Sequence, residues 1–232
     1  MIQTLRASLR DWGYRLIGPV GHFVTSGSEV ALTFDDGPHA EYTPRLLAIL
    51  ERHNVRATFF MVGQKAAQYP ELVRRVAEAG HAVTNHSWDH PAFPEISGPQ
   101  RRHQIRACGG ALAPYGQRFF RPPYGSANLA TLLDALFLRY ELIGWNLDVD
   151  DWVVQDPGWM ADRLIHHCRP GSIILLHDAV IPATDDRDGT KIHRDRAAML
   201  QALSLFLDQK GRDFRFVTIP EVFRLRCPVH RG

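Results

Sequence analysis

Cysteine is scarce in this chain: three residues in 232, Cys108, Cys168 and Cys227, far apart and without a CxxC pair. An odd, scattered set argues against a disulfide framework and fits reduced thiols. Neither sign of charge is in excess, since 27 Lys and Arg face 25 Asp and Glu for a net +2. That balance gives no case for a nucleic-acid partner. No apolar run reaches the length of a transmembrane helix. The N-terminus lacks the apolar core of about 7–15 residues that a secretory signal needs, so the expected location is cytoplasmic. Neither Gly-x-Gly-x-x-Gly nor a P-loop motif occurs, which leaves nucleotide binding without support.

What is present fits one soluble α/β domain. With 45% hydrophobic and 22% charged residues, the chain can build a single large core. Ile2, Leu5, Leu9, Trp12 and Leu16 fall near helical spacing with Arg6, Arg10 and Arg15 between them. Residues 1–28 are therefore expected as an N-terminal helical extension packed on the domain, with weak peripheral membrane contact as the alternative. Apolar runs at 30–34, 57–61, 82–84, 119–120, 141–147, 172–176 and 214–218 read as strands. Helical patterns lie between them at 43–53, 70–79, 100–113, 128–138, 159–167 and 194–210. This alternation predicts βαβ units and a parallel sheet. The expected fold is a distorted (β/α) barrel of about seven parallel strands over 29–226, with a short tail at 227–232. Nothing in the sequence fixes an oligomeric state.

Barrel enzymes place their chemistry at the C-terminal ends of their strands, and polar residues collect there in this chain. Asp35 and Asp36 end the first run and are stopped by Gly37-Pro38. Two adjacent acids repel and are tolerated when a cation or a catalytic task compensates, although Asp-Asp-Gly is also an ordinary turn. His86 and His90 form an HxxxH whose spacing puts both imidazoles on one side of a helix or tight turn. With one carboxylate from the aspartate pair they would make a two-His, one-carboxylate site. Zn²⁺ is the default ion for that set, and Fe²⁺, Co²⁺ or Ni²⁺ also fit.

Arg121 precedes two prolines and reads either as a surface residue on a rigid turn or as a clamp for a carboxylate. His177 ends an apolar strand, where an acid or base role competes with core packing. Asp148, Asp150 and Asp151 all qualify as its carboxylate partner. Trp88, Trp145 and Trp152 read as barrel-wall packing before sugar stacking. The loop from Ala179 to His193, with Asp185, Asp186 and Asp188, reads as solvated or as a lid. A Ca²⁺ loop there would lack its acidic first ligand.

Thr33–Pro38, His86–His90, Arg121–Gly125, Trp145–Trp152 and Ile174–His177 occur in the order and character of five motifs. Together they resemble the polysaccharide deacetylases, the carbohydrate esterase family four enzymes built on the nodulation chitooligosaccharide deacetylase domain. The resemblance runs over roughly 29–223. It implies Asp35 as general base and Asp36, His86 and His90 as metal ligands. It further implies that Arg121 orients Asp35, that the Tyr124 backbone N–H helps bind the oxyanion, and that Asp151 charges His177 as general acid. Ile174 and Leu176 would wall an acetyl pocket, with Trp152 also on the substrate side.

The implied activity is metal-dependent removal of the N-acetyl group from an N-acetylhexosamine unit of an oligosaccharide, glycan or glycolipid, releasing acetate. O-acetyl esterase or N-deformylase action on a sugar remains open. So does an inactive carbohydrate-binding barrel, although that would predict a missing ligand or base. An HD-type phosphohydrolase is all-helical, which conflicts with the strand at 172–176.

Overall fold

A computed structural model describes residues 18–181, 191–225 and 228–230. The expected helix among the first residues, the acidic cluster Asp185, Asp186 and Asp188, and Cys227 lie outside the described residues. In chain order the first half contains β1 (Val20–Phe23), β2 (Glu29–Asp35), α1 (Tyr42–Arg52), β3 (Thr58–Met61), α2 (Gly63–Gln68), α3 (Pro70–Glu78), β4 (Ala82–Asn85), α4 (Gly98–Ala111) and β5 (Gly116–Phe120). The second half contains α5 (Leu129–Phe137), β6 (Glu141–Leu142), β7 (Leu147–Asp148), α6 (Pro157–His167), β8 (Ile173–His177), α7 (Ala197–Lys210), β9 (Arg215–Phe216), α8 (Ile219–Arg224) and β10 (Pro228–His230).

Seven strands run in the order β6-β5-β4-β3-β2-β8-β7, all paired in parallel, and β9 adds alongside β2. They curl into a half-barrel covered by helices, the distorted (β/α) barrel that the alternating pattern predicts. Among the described residues no helix is long and apolar enough to cross a membrane.

Side-chain alternation along β2 sets the two layers of the core. Val30, Leu32 and Phe34 join the large outer cluster with α1 and α7, through Leu46, Leu50, Leu203 and Phe206. Ala31 falls in the inner cluster with Phe60, Ile143, Ile173 and Val217. Thr33 and Asp35 share the face of Ala31, so the inner layer becomes polar toward the C-terminal end of the strands.

Several elements differ from expectation, among them the short helix α8 at Ile219–Arg224, where no helix is expected. Val20–Phe23, inside the stretch expected to be helical, forms β1 and pairs antiparallel with β10 from the expected tail. The short apolar alternation there is satisfied by a strand partner more than 200 positions away, which no local pattern reports. The single strand expected at 141–147 divides into β6 and β7. Between them the Gly144 carbonyl accepts from Arg121 and the Asn146 side chain accepts from Ile173 N at 2.8 Å, so these groups leave the ladder. Helix α2 lacks a periodic apolar stripe. It is started instead by Gly63 N and Gln64 N donating to the carbonyls of Ser87 and Trp88, both at 2.9 Å.

Gly171, which opens β8, has φ 89°, and a Cβ there would lie 2.1 Å from the Phe23 carbonyl oxygen. Gly171→Ala is expected to destabilise the fold by about 1–3 kcal/mol or more, read as a lower urea midpoint at unchanged slope.

Candidate active site

The inner face at the C-terminal end of the sheet holds a buried ion pair. Arg121, fully buried, donates through Nη1 to Asp35 Oδ1 at 2.7 Å and to Thr33 Oγ1 at 2.8 Å. Nη2 donates to the Gly144 carbonyl at 2.8 Å, and the Phe60 ring lies 4.1 Å beneath the guanidinium. A planar, forked cation suits this set of acceptors better than an ammonium would. Asp35 is thereby held in one orientation at the end of β2.

Beside it lies a cluster of facing acceptors. The Nε2 atoms of His86 and His90 approach Asp36 Oδ1 to 3.3 and 3.1 Å, and His86 Nε2 lies 3.7 Å from Asp35 Oδ2. All three residues are buried, and their ligand-type atoms lie within 4.8 Å of one another. His86 Nδ1 sits 2.7 Å from the Arg121 carbonyl, which can only accept. Nδ1 therefore carries the proton, and in the neutral ring Nε2 turns a lone pair toward the aspartate. Asp36 Oδ1 has no hydrogen-bond donor of its own, and its Oδ2 accepts from Ile181 N at 2.8 Å.

Asp36 Oδ1, His86 Nε2 and His90 Nε2 thus face one another in a buried space, an arrangement that a shared cation would satisfy. The donor set therefore fits a divalent ion held by Asp36, His86 and His90. Burial pushes the Asp36 carboxyl up, but His90 and His86 outweigh it and hold the group well below the usual carboxylate range.

The two imidazoles come from a turn rather than a helix. Ser87 and His90 have φ 69° and 67°. Asn85 Oδ1 accepts from Ser87 N at 2.9 Å and Ser87 Oγ from His90 N at 3.1 Å. Gln104 of α4 braces the turn by accepting from Trp88 N and Asp89 N and donating to Asp89 Oδ1 at 2.7 Å. Gln104 gives no signal in the sequence, because its partners lie 15 and 16 positions away.

His177 pairs in register with Asp35 across the β2–β8 ladder, so both side chains emerge at the same end of the sheet. Its Nδ1 lies 2.7 Å from Asp151 Oδ1, and its backbone N–H donates to Asp151 Oδ2 at 2.9 Å. Of the three aspartates weighed from the sequence, Asp151 makes this contact. Asp148 accepts instead from Asp150 N at 2.7 Å. Arg196, fully buried and not singled out in the sequence, donates to the Asp151 carbonyl at 2.8 Å. Burial works against charge on His177, but Asp151 more than offsets it, with Asp36 and Asp35 adding to the effect, and the pKa rises to about 9. Asp178, the next residue, is pushed up to about 6 by burial.

Tyr124 occupies the turn after Arg121 with φ 59°, half exposed, its ring edge-on to His90 at 4.6 Å between centroids. Gly125 follows at φ 61°, where a Cβ would meet the Trp145 ring at 2.5 Å. Trp152 is half-buried, and its carbonyl accepts from His193 N at 2.8 Å.

The expectation for Ile174 and Leu176 is corrected. Both are buried in the outer cluster with Leu32 and Phe34, under the helices, and do not line the site. Strand alternation gives the face of His177 to Leu175 and Ile173. Leu175, 3% exposed, is the apolar residue of β8 nearest in position to that face's polar end.

The C-terminal mouth of the parallel half-barrel thus brings together paired carboxylates, an imidazole pair and a carboxylate-paired histidine, groups suited to hydrolysis. Residues 24–143 match the family model described as polysaccharide deacetylase. Over 220 residues, 93% of the chain, the sequence is 33% identical to a peptidoglycan-N-acetylglucosamine deacetylase of Bacillus cereus, covering 74% of it. It is also 33% identical over 216 residues to a chitooligosaccharide deacetylase of Azorhizobium caulinodans, covering 88% of this chain and 99% of that one. A crystal structure of a peptidoglycan N-acetylglucosamine deacetylase bound to 4-naphthalen-1-yl-N-oxidanyl-benzamide superposes with a TM-score of 0.78 at 33% identity. That match covers 88% of this chain and 92% of the other. The chain belongs to the polysaccharide deacetylase family, and so to the hydrolases.

The Asp151–His177 pair makes a pH prediction. Because the folded pKa of about 9 lies above the ordinary 6.5, the pair's stabilisation is complete below about pH 6.5 and is lost as pH rises through about 9. In Asp151→Asn the burial effect loses its opponent. The His177 titration, followed by NMR in the metal-free chain, should move to lower pH, and the alkaline loss of stability should flatten. An unchanged titration would refute the pairing.

Proposed function

We propose that this protein is a metal-dependent N-deacetylase that removes the acetyl group from an N-acetylhexosamine unit of a glycan, oligosaccharide or glycolipid, releasing acetate. The observation that carries this reading is the convergence of three buried ligand-type atoms from Asp36, His86 and His90, within 4.8 Å of one another, beside an oriented carboxylate. The names of the relatives, which act on peptidoglycan N-acetylglucosamine and on chitooligosaccharides, support the same class of substrate.

A divalent cation held by these three residues, Zn²⁺ first and Co²⁺ or Ni²⁺ as alternatives, would supply Lewis-acid polarisation of the amide carbonyl. The remaining chemistry belongs to the chain. Asp35, locked by Arg121, accepts the proton of the attacking water as general base, a contribution of roughly 10²–10⁴-fold. The backbone N–H of Tyr124, in the turn after Pro122 and Pro123, would stabilise the developing oxyanion, at about 3–4 kcal/mol for such a donor. His177, kept protonated by Asp151, donates its proton to the leaving amine. The proton taken by Asp35 and the proton given by His177 balance the hydrolysis of one C–N bond. Leu175 replaces Ile174 and Leu176 as the apolar contact for the acetyl methyl.

The test is acetate release from chitooligosaccharides and from acetylated peptidoglycan fragments, with Zn²⁺ or Co²⁺ added. Asp35→Asn should lose at least about 10²-fold in kcat while keeping its bound metal, whereas His86→Ala should lose both. Equal metal loss in the two variants would reverse the roles given to Asp35 and Asp36. Absence of release from every acetylated amino sugar, with metal bound, would defeat the proposal.

A further inference from the structure

Asp178 follows the proposed acid, is fully buried, and has no task in the mechanism above. Its Oδ1 has no hydrogen-bond partner. Its Oδ2 accepts from Thr43 Oγ1 at 2.5 Å, and the same hydroxyl accepts from His39 N at 2.7 Å. Gly37 packs directly on the carboxyl group, since a Cβ on Gly37 would lie 2.3 Å from both carboxylate oxygens. Three residues further on, Ile181 N donates to Asp36 Oδ2.

The stretch 178–181 therefore contacts the Asp36-Gly37 part of the turn directly and His39 through Thr43. Ile181 holds Asp36, the Asp178 carboxyl lies against Gly37, and Thr43 ties Asp178 to His39. Asp36 itself adopts φ 70°, a conformation that a non-glycine residue keeps only when its surroundings impose it. A buried carboxyl with one oxygen unsatisfied is likewise retained where its position matters.

We infer that Asp178 is a positioning residue: wedged against Gly37 and tied through Thr43, it holds the Asp36 turn so that Oδ1 faces the His86 and His90 imidazoles, and thereby sets the affinity of the cation site. The same segment carries His177, so the proposed acid and the cation ligand are registered to each other through one short piece of chain. Outer-shell groups of this kind typically change metal affinity about 10–100-fold when removed.

The inference rests on the metal-site reading, and one titration separates the two. Co²⁺ binding to the full chain is followed by its visible absorption, with circular dichroism as the check on folding. Asp178→Ala should bind Co²⁺ about 10–100-fold more weakly with an altered absorption envelope. Asp178→Asn keeps the shape and an acceptor for Thr43, and should stay within about threefold of the parent.

An Ala variant with parental affinity and spectrum would overturn the positioning role, as would an Asn variant as weak as Ala. Should Asp178→Ala not fold, Thr43→Val removes the hydrogen bond while keeping the volume. A several-fold loss of Co²⁺ affinity there supports the inference, and an unchanged affinity overturns it. If the parent chain bound no Co²⁺, or bound it regardless of His86→Ala, the metal reading itself would fall and take this inference with it.

Discussion

Burying the Arg121 guanidinium removes a charge from water, which costs several kcal/mol unless its N–H groups find acceptors and a counter-charge lies beside it. Those acceptors come from Thr33 and Asp35 on β2 and from the carbonyls of Ile143 and Gly144 beyond β6. The same residue offers its own carbonyl to His86 after β4. One side chain and its peptide thus connect three parts of the barrel mouth. They fix the direction of one carboxylate and the tautomer of one imidazole. Removing either partner of the pair would leave an uncompensated charge in the interior, so the ends of these strands cannot drift apart independently.

Arg196 lies beside Asp151 as Arg121 lies beside Asp35, but it donates to the Asp151 carbonyl at 2.8 Å and reaches the carboxylate only at 3.5 Å. Both arginines are fully buried, and each sits against a carboxylate that in turn governs the proposed chemistry. The Asp36 carboxyl lies well below the usual carboxylate range, and the His177 imidazole is raised to about 9 by Asp151. Opposite protonation tendencies within one mouth are what an acid–base hydrolysis at neutral pH requires.

Backbone strain is concentrated in the same place. Five of the seven non-glycine residues with positive φ among the described residues are Asp36, Ser87, His90, Tyr124 and Asp150. Each sits at or beside a proposed ligand, oxyanion donor or acid partner. Such conformations are held by their surroundings; here Ile181 bonds Asp36, Asn85 bonds Ser87, Ser87 bonds His90 and Asp148 bonds Asp150. Local propensity was set aside at these positions in favour of aiming a side chain or an N–H.

The sequence by itself determined the alternation of strands and helices, and with it the parallel sheet, because side-chain periodicity is a local property. It also determined which residues gather at the mouth, since strand ends and turn residues can be read one segment at a time. The five ordered motifs identified the family for the same reason. Tertiary structure decided which atoms meet. Asp151 was chosen over Asp148 and Asp150 by the path of the chain after β7. Leu175, rather than Ile174 and Leu176, received the inner face through a one-residue phase that an unbroken apolar run does not reveal. Val20–Phe23 became a strand through a partner near the other end of the chain, and Arg196, Gln104 and Asp178 took their places through contacts between residues far apart in sequence. Long-range packing, hydrogen bonding and burial act in space, so a pattern read along the chain holds no record of them.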